Sequence, residues 1–206
     1  MSNKPALVRF NIQNVKYALK KGDTYETPVN YGTSRTLALE PVQSSKDIYG
    51  DGRRICAITS DKGKTGTLTV NNISNDLEIA VGRMIKTKNG LAQISQTKNP
   101  IFAVYFETSG VDEDGAMPLA KTWLYGVTFP TRPTETFNQS EDDINESTFD
   151  IALKIDGVNL KTAEGEIYKD EKGNEIMVWQ QTVTAEDEGF DTYGDAVALP
   201  TMPEAV

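Results

Sequence analysis

Apolar and polar residues alternate along much of the chain, the period of a strand with one buried face. In "KTWLYGVTF", Trp123, Tyr125, Val127 and Phe129 share one face, with Thr122, Leu124, Gly126 and Thr128 on the other. In "STFDIALKI", Phe149, Ile151, Leu153 and Ile155 alternate with Thr148, Asp150, Ala152 and Lys154. "TGTLTVNN" sets Leu68 and Val70 against Thr67 and Thr69, and "ALVRFNI", "VKYAL", "RTLALE" and "RRICAIT" supply shorter strands. "IFAVYFE" is apolar on both faces, so one face meets the core and the other a helix or a neighbouring subunit.

One segment changes to the helical period. Leu77, Ala80, Val81, Met84 and Ile85 fall on one helical face. Ser74 is the N-cap, Asp76 and Glu78 suit the positive end of the dipole, Lys86 and Lys88 the negative end, and Asn89-Gly90 the stop. The pattern predicts a mainly β protein, a sandwich or barrel-like fold with one flanking helix over about 74–88.

After Gly157 the texture shifts. "EGEIYKDEKGNEIMVW" reads as a hairpin turning near Lys172-Gly173, and the acidic stretch beyond it, broken by Gly and Pro, as an extended arm. Charge marks the same boundary. Residues 1–157 hold 19 acidic and 18 basic residues, whereas 158–206 hold 11 and 3, out of a net charge of -9. The expected organisation is a β domain over 1–157 and an acidic, dispensable extension over 158–206. Neither part is basic enough to grip nucleic acid. A single cysteine, Cys56, excludes an intrachain disulfide and fits manufacture in a reducing cytosol. The absence of an apolar run of membrane-spanning length, or of a secretion signal in "MSNKPALVRF", argues against membrane insertion and secretion.

Candidate chemistry is sparse. There is no histidine, which removes the commonest general base and metal ligand. "KGKTGTL" resembles a phosphate loop, but the position six before Lys64 is Ile58 where the motif needs Gly. "DIYGDG" places Tyr49 at the third position of a calcium loop and Ile58 at the twelfth, where a bidentate Glu is required. "VDEDGA" has too few ligands before its Gly, and "EDDINE" lacks the Gly and interrupts its acids with Ile144. Arg53-Arg54 could activate the Cys56 thiol, but alternation makes Cys56 a small core or sheet residue. The reading is no enzyme, no cofactor and no metal.

The order of segments carries more information than any single motif. "YGTSRTLALEPV" leads through an irregular "QSSKDIYGDG" to "RRICAITSDKGKTGTLTV", the capped helix, "IFAVYFET" and "KTWLYGVTFPTRPTETFNQSEDDINESTFDIAL". Leu39-Glu40-Pro41, Thr65-Gly66-Thr67-Leu68 and Thr131-Arg132-Pro133 are its most telling pieces. This succession, over about residues 6–157, closely resembles the major tail proteins (tail tube proteins) of long-tailed bacteriophages, especially those infecting Gram-positive bacteria.

The resemblance implies a sandwich whose six copies form a ring, with inner sheets joined into a barrel and rings stacked into a hollow tube. Viral DNA transits the lumen without specific binding. The implied place is the virion tail after synthesis in the host cytoplasm, and the implied partners are tape measure, tail terminator and distal tail proteins. The segment after Gly157 departs from the family pattern. Two other readings stand beside this one: a carbohydrate- or receptor-binding sandwich on the virion, using Trp123, Tyr125 and Trp179, and the tube of a contractile tail or secretion machine. A carboxylate-pair enzyme would need Glu141, Asp142 and Asp143.

Long stretches without periodicity in a compact domain carry function. Residues 42–52 and 131–146 are therefore expected to form subunit or ring contacts. The candidates are Asp47, Ile48, Tyr49, Arg132, Pro133, Thr134, Glu141, Asp142 and Asp143.

Overall fold

A computed structural model of the chain describes residues 8–96, 98–115, 117–138 and 146–203. The strands are β1 (Val8–Lys21), β2 (Thr24–Tyr25), β3 (Val29–Asn30), β4 (Ser34–Gly50), β5 (Arg53–Val70), β6 (Met84–Thr87) and β7 (Gly90–Gln93). They continue with β8 (Phe102–Val111), β9 (Leu119–Thr128), β10 (Thr134–Thr136), β11 (Thr148–Ile155), β12 (Val158–Asn159), β13 (Met177–Val178) and β14 (Gln180–Thr184). Helix α1 (Asn75–Val81) lies between β5 and β6. A large antiparallel sheet runs in the order β2-β1-β8-β9-β11-β5-β4, with β3, β10 and β14 paired off that path. Among the described residues it does not close into a barrel, and its form is consistent with a β-sandwich carrying one helix.

The main core gathers the inward faces of these strands. Phe102, Val104, Leu124, Val127, Ile151, Leu153, Ile155, Leu68 and Val70 meet there, and Leu77 and Val81 of α1 join them. The alternation read in "STFDIALKI" and "TGTLTV" is therefore the observed inward face.

The helix is shorter than its pattern. Ser74 caps it, its hydroxyl accepting from the Leu77 N–H at 3.3 Å. Gly82 stops it in the left-handed region (φ 80), with its N–H on Ile79 O and the Arg83 N–H on Glu78 O at 2.9 Å. That paired closure is the Schellman arrangement, which glycine adopts without steric cost. Met84 to Thr87 then form a strand paired with Gly90–Gln93. The helix expected over 74–88 therefore ends at Val81, and Met84 and Ile85 keep helical spacing only by coincidence, across a change of chain direction.

A second correction lies in β9. Trp123 and Tyr125 share a face as read, but Val127 and Phe129 turn to the other side, into the main core with Leu124. The cause is a β-bulge: Phe102 pairs Val127 and Val104 pairs Leu124, so the register shifts by one residue between them. Gly126 supplies the left-handed backbone there (φ 63), and a Cβ on it would lie 2.2 Å from Gly157 O. The bulge also changes partners. Before it β9 pairs with β14, from Ala120↔Thr184 to Leu124↔Gln180; after it β9 pairs with β11 at Val127↔Ile155.

The second face of β8 and β9 forms another apolar cluster. Ala103, Tyr105, Trp123 and Tyr125 pack with Val183 and Tyr193, flanked by Phe190, Val197 and Ala198. The apolar second face of "IFAVYFE" thus meets the chain's own C-terminal residues rather than a helix or another subunit. Phe190, Tyr193, Gly194 and residues 197–200 pack onto the sheet while their neighbours stay exposed, so this stretch is not the free extended arm that was expected. Sheet side chains hold their main chain: Lys121 Nζ donates to Phe190 O and Asp191 O, Trp123 Nε1 to Tyr193 O, Lys16 Nζ to Gly194 O and Tyr125 OH to Ala198 O. The hairpin expected near Lys172-Gly173 is present, with Lys169 bridged to Glu175 across an Asp170–Asn174 turn.

Candidate assembly interface

β4 and β5 are long for strands, with 17 and 18 residues. Only their inner parts belong to the sandwich: β11 pairs β5 from Lys64 to Val70 and leaves the rest behind. Beyond Pro41 and Lys64 the two strands continue as an isolated hairpin, paired from Gln43↔Asp61 to Gly50↔Arg53. Asp51 (φ 50) and Gly52 (φ 72) turn it, both left-handed as a type I′ turn requires. The region 42–52, expected to be irregular, is thus strand up to the turn, interrupted by a register shift between Ile48 and Tyr49. Its sequence signal is Asp51-Gly52.

This arm reaches roughly 25–30 Å beyond the sheet at strand rise. Asp47, Ile48 and Tyr49 lie on it, exposed; Ile48, Tyr49 and Ile55 show 37%, 66% and 68% of their surfaces. Asp47 accepts from Arg54 in an exposed ion pair at 2.9 Å. Cys56, read as a small core or sheet residue, is in the ladder opposite Ile48 yet exposed. A two-stranded ribbon with neither face covered is marginal in water, because its pairing orders backbone without burying apolar surface. The arm's root is braced instead. Lys64 Nζ donates to Gln180 Oε1 at 2.9 Å, and Trp179 lies 3.5 Å from where a Cβ on Gly63 would be.

The second candidate region occupies the far end of β5. Thr134 in β10 pairs with Asp150, and Thr136 with Thr148, beside Val70. Arg132 donates to Ile94 O, Gln93 to Glu135, and Asn138 to Glu146 O. Arg132 and Thr134 are exposed and Pro133 is half-buried. Phe137 is 73% exposed, with an edge contact to Phe149. Glu141, Asp142 and Asp143 lie outside the described residues. The structure does not bring the two candidate groups together: between Arg54 and Val70 stands roughly 50 Å of strand at its usual rise. Ile55 and Phe137 are the exposed apolar residues that sequence reasoning missed in these regions.

Behind the rim is a buried ion pair. Arg83 and Glu78 are 0% and 3% exposed and meet at 3.3 Å; Arg83 also donates to Phe129 O and to Gln96. Burial pushes the Glu78 carboxyl above its ordinary range against the opposing pull of Arg83, and lowers the Arg83 guanidinium against the pull of Glu78. The pair ties the helix end to the start of the 131–138 segment, and its groups are spent on each other rather than offered to a ligand. Across the molecule, burial raises the Tyr105 phenol, which donates to Glu107 at 2.7 Å.

Trp123 and Tyr125 are fully buried and present no aromatic platform. Among the described residues, no group of three or more His, Cys, Asp or Glu is placed to hold a metal ion, and no helix is long and apolar enough to cross a membrane. No protein-family model and no curated protein matches the chain.

Proposed function

We propose that this protein is a structural subunit of a phage tail tube, assembling into stacked hexameric rings around a lumen through which viral DNA leaves the capsid. The observation that carries the reading is the uncovered arm of β4 and β5. A ribbon of this length, exposed on both faces and tipped by Ile48, Tyr49 and Ile55, gains its stabilising burial from a neighbour. The arm and the Arg132–Phe137 rim lie at opposite ends of β5, so copies of one chain can meet by unlike patches. Heterologous contacts of that kind build rings and stacks.

The segment order of the tail tube family supports the same reading, as does the near-neutral charge of residues 1–157, which suits a conduit that must not retain phosphates. In this role the protein works by assembly, without catalysis or cofactor. It is made in the host cytoplasm, resides in the virion tail, and meets tape measure, tail terminator and distal tail proteins.

The test is excision of residues 43–60 with the strands rejoined by Asn-Gly. The variant is expected to keep a β-sheet far-ultraviolet spectrum and a cooperative melt while sedimenting only as a monomer where the wild type forms large particles. Equal particle formation by the excised variant would remove the arm from assembly.

A further inference from the structure

We infer that the arm of one copy docks into the clefts that surround Leu199 on the next copy, giving the lateral contact within a ring. This rests on the self-assembly reading and adds its receptor surface. Three clefts, of about 330, 230 and 410 Å³, are all lined by Leu199. Their walls combine Tyr25, Val197 and Met177 with polar rims. The arm offers three exposed apolar side chains of matching scale, Ile48, Tyr49 and Ile55.

Position favours a second copy as the occupant. The 330 Å³ cleft lies beside the arm's own root, because Trp179 lies against both Gly63 and Gly157 and Gly157 lines that cleft, so the arm's own tip, roughly 25–30 Å away, cannot enter it. Root and cleft belong to the same level of the sheet, where Leu19, Phe102, Val127, Ile155 and Lys64 follow one another across the ladders. A contact from the tip of one arm to the cleft beside the next arm's root is heterologous and repeats from copy to copy. Charge is complementary as well. The cleft rims carry Asp23, Glu26, Glu188 and Asp195, against Lys20 and Lys161. The arm tip carries Lys46, Arg53 and Arg54 against Asp47 and Asp51. Such pairing sets register and orientation more than strength.

The lone exposed cysteine on the arm makes a direct test possible. With one cysteine, oxidation of the wild type can yield nothing larger than a dimer. Thr27→Cys adds a second thiol on the exposed rim of the 230 Å³ cleft. Oxidised at concentrations where particles form, this variant is expected to give a ladder of trimers and larger species, each bond joining Cys56 of one copy to the introduced thiol of the next. Lys88→Cys, on the turn between β6 and β7, is the control and should give no ladder. Adding Ile55→Asp to Thr27→Cys should weaken the contact at least about tenfold, the scale of one buried isoleucine. Particles without a ladder from Thr27→Cys, or an equal ladder from Lys88→Cys, would overturn the docking site while leaving the assembly reading intact. Failure of the wild type to form any particles would remove both.

Discussion

The left-handed backbone of Gly126 creates the bulge that turns Trp123 and Tyr125 to one core and Val127 and Phe129 to the other, and it lets Gly157 approach within contact. Gly126→Ala is expected to cost about 2–3 kcal/mol through strain and the clash with Gly157, lowering Tm by roughly 5–10 °C. A calorimetric melt unchanged from wild type would contradict that role. Strand alternation does not reveal the bulge, because it counts side-chain types and is blind to φ; the lone Gly within an apolar strand is the available clue. At Glu78 the folded carboxyl holds its proton more tightly than the unfolded chain does, since burial raises its pKa. Lowering the pH through the folded pKa toward the ordinary value of 4.5 should therefore stabilise the wild type relative to Glu78→Gln, and raising it again should remove that gain. Carbon-detected titration of Glu78 should give a midpoint above 4.5; a midpoint below it would mean that Arg83 outweighs burial.

At the scale of elements, the strands around the main core are legible because Ile151, Leu153, Ile155, Leu68 and Val70 alternate without interruption. The helix start is legible from Ser74, but its end is not. Met84 and Ile85 keep helical spacing past Gly82, the residue that ends the helix, so periodicity points to the later Asn89-Gly90 instead. The arm is half legible: "RRICAIT" reads as a strand, but its partner over 42–50 keeps no hydrophobic period because neither face is buried, and Asp51-Gly52 marks the turn. Native-state hydrogen exchange should separate these cases. Amides of 43–61 are expected to exchange fast in the monomer, those of β8 and β9 slowest, and the arm amides to become protected on assembly. Arm protection equal to that of β8 in the monomer would contradict an unsupported ribbon. The packing of the C-terminal residues is hidden because their anchoring runs through main-chain carbonyls, which leave no sequence pattern; Phe190, Tyr193 and Val197 are the apolar hints. Truncation after Gly157 should uncover Ala103, Tyr105, Trp123 and Tyr125, giving an aggregating or dye-binding product. A soluble, cooperatively folding 1–157 fragment would show that this cluster is dispensable.

At the scale of the molecule, two exposed regions at opposite ends of β5, clefts around Leu199 and an acidic C-terminal quarter describe a molecule with several unlike faces. The candidate contacts of the arm are legible as a region and not as a shape. Those around Leu199 depend on β2 meeting residues 195–199, a proximity that sequence separation conceals. On the proposed reading, such a molecule should assemble with a concentration dependence steeper than a dimer's, and assembly should weaken on loss of the arm rather than on chelation of a metal. The central claim is tested most directly by electron microscopy of the purified full-length protein at high concentration. The account predicts six-fold rings or hollow tubes built from them, with density for the β4–β5 arm against a neighbouring subunit. Monodisperse monomers under every condition tried would contradict it.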